Sequence, residues 1–109
     1  MTVNELSEAL SLKGLVVPNG SREFSGAYIG DLLSWVMGRA QSDNVWITIM
    51  SNINIVAVAT LADVACIILA EDVVPDAKVL ETALQKGVNI FTTCKTAFEI
   101  AAELAVLTR

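Results

Sequence analysis

The run Val45-Trp46-Ile47-Thr48-Ile49-Met50 decides the fold, together with Ala65-Cys66-Ile67-Ile68-Leu69-Ala70 and Val88-Asn89-Ile90-Phe91 further along the chain. The first run is β-branched and aromatic, a composition that suits a pleated surface, and it reads as a strand. The second is apolar throughout, the character of a parallel strand buried on both faces. Between them Ser51-Asn52 supplies a cap-type start, and Ile53 to Ala62 reads as a helix because two parallel strands need a crossover. Pro75-Asp76 opens the next helix, which closes at Lys86-Gly87 with its acid early and its base late, as the helix dipole favours. Val88 to Phe91 is the third strand. Thr96 and Glu99 then form a capping box for a last helix running to about Leu107. The order β-α-β-α-β-α predicts the α/β class: a small three-layer domain built on a mostly parallel sheet.

The half before Asp43 is less regular. Thr2 and Glu5 form a capping box, Leu6, Ala9 and Leu10 share one helical face, and Gly14 reads as the stop. Leu15-Val16-Val17 reads as a short strand and Pro18-Asn19-Gly20-Ser21 as a turn. Arg22 to Ile29 reads as extended. Asp31 is of the right type to cap a helix carrying Leu32, Leu33, Val36 and Met37 that stops near Gly38. No linker, repeat or low-complexity segment interrupts the chain, so residues 1–109 are expected to form one domain.

Hydrophobic residues make up 54% and charged residues 17% of the 109. That fills one core and leaves a surplus, because a chain this small exposes much surface per volume. A membrane does not absorb the surplus: the longest apolar stretch, Ile55 to Ala70, is broken by Thr60 and Asp63, and a spanning helix needs about 20 apolar residues. A subunit interface does, so a homodimer or larger assembly is expected, through a patch near Trp35, Met37 or Met50. Trp35 and Trp46 read as core or interface anchors. The opening residues lack the basic and apolar regions of a signal peptide, so a cytoplasmic location is expected. The net charge of −5 and the scattering of seven Lys and Arg argue against nucleic acid as a partner.

Chemistry is narrowed by what the sequence lacks. There is no histidine, hence no Ser-His or Cys-His nucleophilic pair and no imidazole metal ligand. The two cysteines cannot by themselves hold a structural zinc ion. No G-x-x-x-x-G-K-[ST] loop and no G-x-G-x-x-G fingerprint occurs. No catalytic residue, metal site or cofactor is therefore expected. Glu99 and Glu103, four apart on the last helix, read as a solvated face. Cys94 follows the third strand as an exposed-loop thiol, a residue type more often inert than reactive.

Three polar loops remain: Ser51-Asn52, Glu71-Asp72 and Thr92-Thr93-Cys94-Lys95-Thr96. Each follows a strand and precedes a helix, so a parallel sheet brings them to one edge, where ligands of such sheets bind. Helix N-termini there offer unpaired N–H groups and partial positive charge to an anion. Ser51, Asn52, Thr92, Thr93, Lys95 and Thr96 are the candidate ligand-binding residues, with Lys95 as the neutralising cation. The competing reading makes the hydroxyls plain helix caps and Lys95 a solvated residue. Glu71 and Asp72 oppose an anion.

Several segments together carry a family resemblance. Gly26-Ala27-Tyr28-Ile29-Gly30-Asp31-Leu32-Leu33-Ser34-Trp35-Val36-Met37-Gly38 with Val45-Trp46-Ile47-Thr48-Ile49, then Asn54-Ile55-Val56-Ala57-Val58-Ala59, and finally Thr93-Cys94-Lys95-Thr96-Ala97-Phe98-Glu99, resemble the small DRTGG domain in its short stand-alone form. Ala65 to Leu104 is similar also to the N-terminal, non-catalytic domain of HPr kinase/phosphorylase. DRTGG domains accompany CBS-domain pairs and some phosphate acetyltransferases as regulatory modules. The resemblance implies a non-catalytic regulatory or ligand-sensing module, for a nucleotide or phosphorylated metabolite. The alternative is a structural or protein-interaction module, acting by homodimerisation or through a partner protein without a small ligand. Kinase activity is not implied, since the P-loop is missing. The residues that name the family are also missing: Ser51-Asn52 stands at the place of an acidic-Arg pair, and Ala70-Glu71-Asp72 at that of Thr-Gly-Gly.

Overall fold

A computed structural model describes residues 1–109. Along the chain it sets out α1 (Val3–Ala9), β1 (Lys13–Val16), β2 (Ala27–Ile29), α2 (Leu33–Arg39), β3 (Val45–Thr48), α3 (Asn54–Ala62), β4 (Cys66–Leu69), α4 (Ala77–Lys86), β5 (Ile90–Thr92) and α5 (Ala97–Leu107). The five strands form one sheet in the order β1-β5-β4-β3-β2. β2, β3, β4 and β5 run parallel, and β1 joins β5 antiparallel at one edge. This is the α/β, mostly parallel architecture that the strand runs imply.

Alternation along the buried strands sends side chains to two cores. Trp46, Ile67, Leu69 and Ile90 meet α2, α3 and α4 through Val36, Ile55, Val56 and Val79. Val45, Ile47, Cys66, Ile68 and Phe91 meet α1 and α5 through Val3, Leu6, Ile100 and Leu104. The sheet is thus the middle of three layers. Trp46 is fully buried, and its single polar atom is satisfied, Nε1 donating to the Gly30 carbonyl at 2.9 Å. Trp35 and Met37 stay about half exposed, and the Arg39 guanidinium lies 3.7 Å over the Trp35 ring. No helix is long and apolar enough to cross a membrane.

The helices of the second half start where local chemistry puts them. Asp76 caps α4 by accepting from the Val79 N–H, and Gly87 closes it in the left-handed conformation. Both capping boxes, Thr2 with Glu5 and Thr96 with Glu99, are formed. They hold the Glu5 and Glu99 carboxyls below the usual range, chiefly through the backbone N–H groups of Thr2 and Thr96.

The structure departs from its sequence reading in three places in the first half and at the end of β3. Asp31 does not cap α2, whose N-cap is Leu32 with no side-chain bond; its carboxylate instead accepts from the Thr48 hydroxyl at 2.7 Å and the Ile49 N–H at 3.0 Å. The same contact ends β3 at Thr48 rather than Met50, because the Ile49 N–H is turned to a side chain. Gly14 lies inside β1, and α1 gives way before it, with Ser11 taking the left-handed φ of 55° that a C-terminal glycine usually supplies. Of the extended segment from Arg22, only Ala27–Ile29 joins the sheet, since Arg22 is held elsewhere.

Arg22 knits the amino ends of the strands. Its guanidinium donates to the Asp43 carboxylate at 2.9 Å, the Asp63 carboxylate at 3.0 Å and the Asp63 carbonyl at 2.7 Å. Partial burial alone would lower the Arg22 pKa, but its bonds to Asp43 and Asp63 outweigh that and raise it. Asn89 does similar work beside it: its amide donates to the Asn19 and Ala65 carbonyls and accepts from the Asn19 N–H.

Candidate functional site

The carboxyl ends of β3, β4 and β5 lead into Met50–Ile53, Ala70–Asp76 and Thr93–Thr96, which share one edge of the sheet. The backbone pins two of these loops together. The Glu71 N–H donates to the Lys95 carbonyl at 2.9 Å, the Asp72 N–H to the Thr93 carbonyl at 2.8 Å, and the Thr93 N–H to Leu69 at 3.0 Å. Glu71 and Asp72 reach these bonds with φ of 58° and 61°. Two successive residues in the left-handed region are at ease as glycines and strained otherwise. The Gly-Gly of the resembled motif is absent here, yet the backbone conformation that suits it is kept.

The six candidate residues occupy different situations. Ser51 and Asn52 stand at the start of α3, and the Asn52 side chain accepts from the Asn54 N–H at 2.9 Å. Ser51 is half-buried and its hydroxyl has no partner within the chain. The N-cap of α3 is Ile53, which offers no side-chain bond, whereas Asp76 and Thr96 cap α4 and α5. Of the three helices that start at this edge, α3 is therefore the one without an N-cap side-chain bond, its first N–H groups being taken by the Asn52 side chain and by the Asn52 and Ile53 carbonyls. Thr92 is buried, and its hydroxyl donates to the Val73 carbonyl at 2.7 Å; it holds the loop rather than facing solvent. Thr93 is buried too, accepting from the Lys95 N–H at 3.3 Å. Thr96 is committed to the α5 capping box.

Lys95 and Glu103 make a contact that sequence reasoning did not foresee. Glu103 does not simply face solvent. The Lys95 ammonium reaches across α5 to the Glu103 carboxylate at 2.9 Å and to the Leu10 carbonyl at 3.3 Å. The pairing spans eight residues and borrows a carbonyl from α1, so no local spacing rule signals it. An anion at the sheet edge has to compete with Glu103 for this cation. Of the two thiols, Cys94 is exposed, while burial pushes Cys66 up to about 12 and keeps it protonated.

No family model matches the sequence, and no curated protein matches it either. In three dimensions the chain is similar to the solved CBS and DRTGG domains of the regulatory region of Clostridium perfringens pyrophosphatase, a structure complexed with the activator diadenosine tetraphosphate. The TM-score is 0.74 at 13% identity, over 94% of this chain and 45% of that one. This chain thus spans less than half the length of the solved chain. At such low identity the likeness speaks for the fold alone.

Proposed function

We propose that this chain is a single DRTGG-like domain that works without catalysis as a regulatory, ligand-sensing module. Its ligand is a small anion-bearing molecule, a nucleotide or phosphorylated metabolite, and it acts as a cytoplasmic homodimer. The observation that carries the reading is the start of α3. Ser51 and Asn52 lie at the carboxyl edge of a parallel sheet, the usual ligand edge, before a helix whose N-cap side chain makes no bond. The likeness to a regulatory region crystallised with a nucleotide activator supports the same reading. A helix N-terminus carries about half a positive elementary charge, which favours a phosphate.

One observation favours the second reading, a structural or protein-interaction module without a small ligand. The cation nearest the edge, Lys95, is already paired, and Glu71 and Asp72 are exposed there. A thermal-shift screen against nucleotides and phosphorylated metabolites separates the two. A ligand at ten times its Kd stabilises the fold by about 1.4 kcal/mol, a rise of several degrees in Tm. Under the sensing reading Ser51→Ala reduces that rise while leaving the unliganded Tm almost unchanged; Asn52→Ala reduces it as well, and also lowers the unliganded Tm by a few degrees through loss of its bond to the Asn54 N–H. A screen in which no anionic compound moves Tm leaves the interaction-module reading in its place.

A further inference from the structure

The two edges of the sheet are protected unequally. β1 carries Lys13, is bulged between Gly14 and Val16, and runs on to Pro18, the devices that keep an edge strand from pairing with another. β2 is Ala27-Tyr28-Ile29, with no charge, proline or bulge. Its pairing with β3 includes Val45 N–H to Gly26 C=O and Gly30 N–H to Ile47 C=O. Parallel pairing alternates, so Tyr28 also faces β3, and the N–H and C=O groups of Ala27 and Ile29 point away from the sheet.

The side chains on this edge are equally unpartnered. Ala27 and Ile29 are in register with Val45 and Ile47, which pack toward α1 and α5, and register partners share a face. α5 covers Ile47 but stops short of β2, leaving Ile29 49% exposed. Between β2 and α5 lies a groove of about 180 Å³, lined among others by Gly26, Ala27, Ile29, Ala101, Ala105 and Thr108. None of these is charged, and most are small.

We infer that this edge and groove are the face on which a second copy of the chain docks, β2 pairing antiparallel with its mate across a two-fold axis. The inference rests on the homodimeric reading above and gives it a place. Across the axis Ala27 stands opposite Ile29 of the second copy, and the reverse, so the outward N–H and C=O groups exchange hydrogen bonds and Tyr28 meets itself. Each isoleucine then lies against the other copy's alanine, at the mouth of the groove between Ala101 and Ala105. Charge selects this edge. Pairing through β1 would bring the Lys13 ammonium of both copies to the seam, whereas β2 brings no charge to it.

The dimensions agree. β3, β2, the mate of β2 and the mate of β3 are three strand spacings apart, about 14 Å. The two α5 helices lying over β3 in each copy are then roughly 4–6 Å further apart than packed helices, a gap of about one isoleucine side chain. A standard interface takes roughly 800 Å² from each partner, against a chain surface of 5622 Å². The paired strands, the Ile29 pair and the exposed row of α5 that includes Phe98, 80% exposed, are the surfaces from which that contact is drawn. Antiparallel pairing also sets the two carboxyl edges at opposite ends, so ligand binding and dimerisation are separable.

Light scattering coupled to size exclusion tests the inference on the full chain at about 100 μM. The wild type is expected at twice 11.6 kDa, Ile29→Lys and Ala105→Glu as monomers with unchanged circular dichroism, and Trp35→Ser as a dimer. Tyr28→Cys in a Cys94→Ser background is expected to form a disulfide-linked dimer, since non-hydrogen-bonded partners bring Cα atoms to about 4.5 Å; it decides the matter if Ile29→Lys does not fold. A monomeric wild type, a dimer surviving both charge substitutions, or a dimer lost only in Trp35→Ser overturns the inference. If the wild type is monomeric yet its Tm still rises with ligand, this face fails and the sensing reading stands. A dimer indifferent to every ligand does the opposite.

Discussion

The two ends of the sheet use similar residues for opposite purposes. At the amino ends of the strands, polar side chains are spent on one another: Arg22 on Asp43 and Asp63, Ser42 on Asp63 at 2.6 Å, Asn44 on the Ser25 carbonyl at 2.9 Å, Asn89 on Asn19 and Ala65. At the carboxyl ends the backbone is laced, but the side chains of Ser51, Glu71 and Asp72 take no partner within the chain. The contrast teaches that this fold ties its amino-end loops through charged and amide side chains and its carboxyl-end loops through backbone and threonine hydroxyls, leaving Ser51, Glu71 and Asp72 free at the edge where parallel sheets bind ligands.

Asn89 gives the hardest test of that contrast. It is 1% exposed, and its removal leaves the Asn19 N–H and two carbonyls without their partners. Unsatisfied buried groups cost about 1–3 kcal/mol each, so Asn89→Ala is expected to lose about 3 kcal/mol in urea unfolding. Ser51→Ala, at the other end, is expected within about 0.5 kcal/mol of the wild type. Equal losses at the two ends would break the comparison.

A single kind of substitution should change sign between the ends. Asp43, Asp63, Glu71 and Asp72 all have positive φ, from 58° to 68°, a conformation that costs a residue with a Cβ roughly 1 kcal/mol. Glu71→Gly and Asp72→Gly remove only that strain and are expected to stabilise by about 0.5–1 kcal/mol, Glu71 the more because Asp tolerates this region better. Asp43→Gly relieves the same strain but removes an acceptor of Arg22, and is expected to destabilise. Urea midpoints of the three variants check the signs.

What the sequence revealed and what it hid divide along the range of the interactions. The strand runs around Ile47, Ile67 and Ile90 were legible because burial on both faces writes itself as uninterrupted apolar residues. The two capping boxes were legible because donor and acceptor lie three residues apart, and the opening of α4 at Pro75-Asp76 because proline and aspartate punctuate a helix start. Asp31 was misread because an aspartate before a helix looks like a cap, and its real partners, Thr48 and Ile49, are seventeen and eighteen residues on. Lys95 was placed at the candidate site by position alone; its bond to Glu103, eight residues away, and to Leu10, eighty-five away, depends on how α5 lies against α1. The position of Ser51 and Asn52 at the carboxyl edge of the sheet was legible since they only had to follow a strand and precede a helix.

The smallest expected effect is a pH dependence confined to the amino end. The Ser42 hydroxyl holds the Asp63 carboxyl below the usual carboxylate range; slight burial opposes this, and Arg22 adds to the lowering. A carboxyl whose pKa is lower folded than unfolded stabilises the fold fully above the unfolded value, about 3.9 for Asp. That contribution disappears as pH falls through the folded value. Acid also titrates every other carboxylate and reduces the net charge of −5, so the wild-type profile alone does not isolate Asp63. The difference between wild type and Asp63→Asn does, because asparagine accepts the left-handed backbone at this position and keeps one acceptor oxygen, giving up the charge that titrates and one of the two acceptors used by Arg22 and Ser42. That difference in urea midpoint is expected to be level between pH 7 and pH 5 and to shrink as pH falls below the unfolded value of about 3.9. Amide exchange should quicken near Ser42 and Asp63 over the same interval while the α3 start stays unchanged. A difference that persists undiminished at pH 3 would show that the Asp63 carboxylate contributes through its shape and hydrogen bonds rather than its charge, and the contrast between the two ends would then rest on neutral contacts alone.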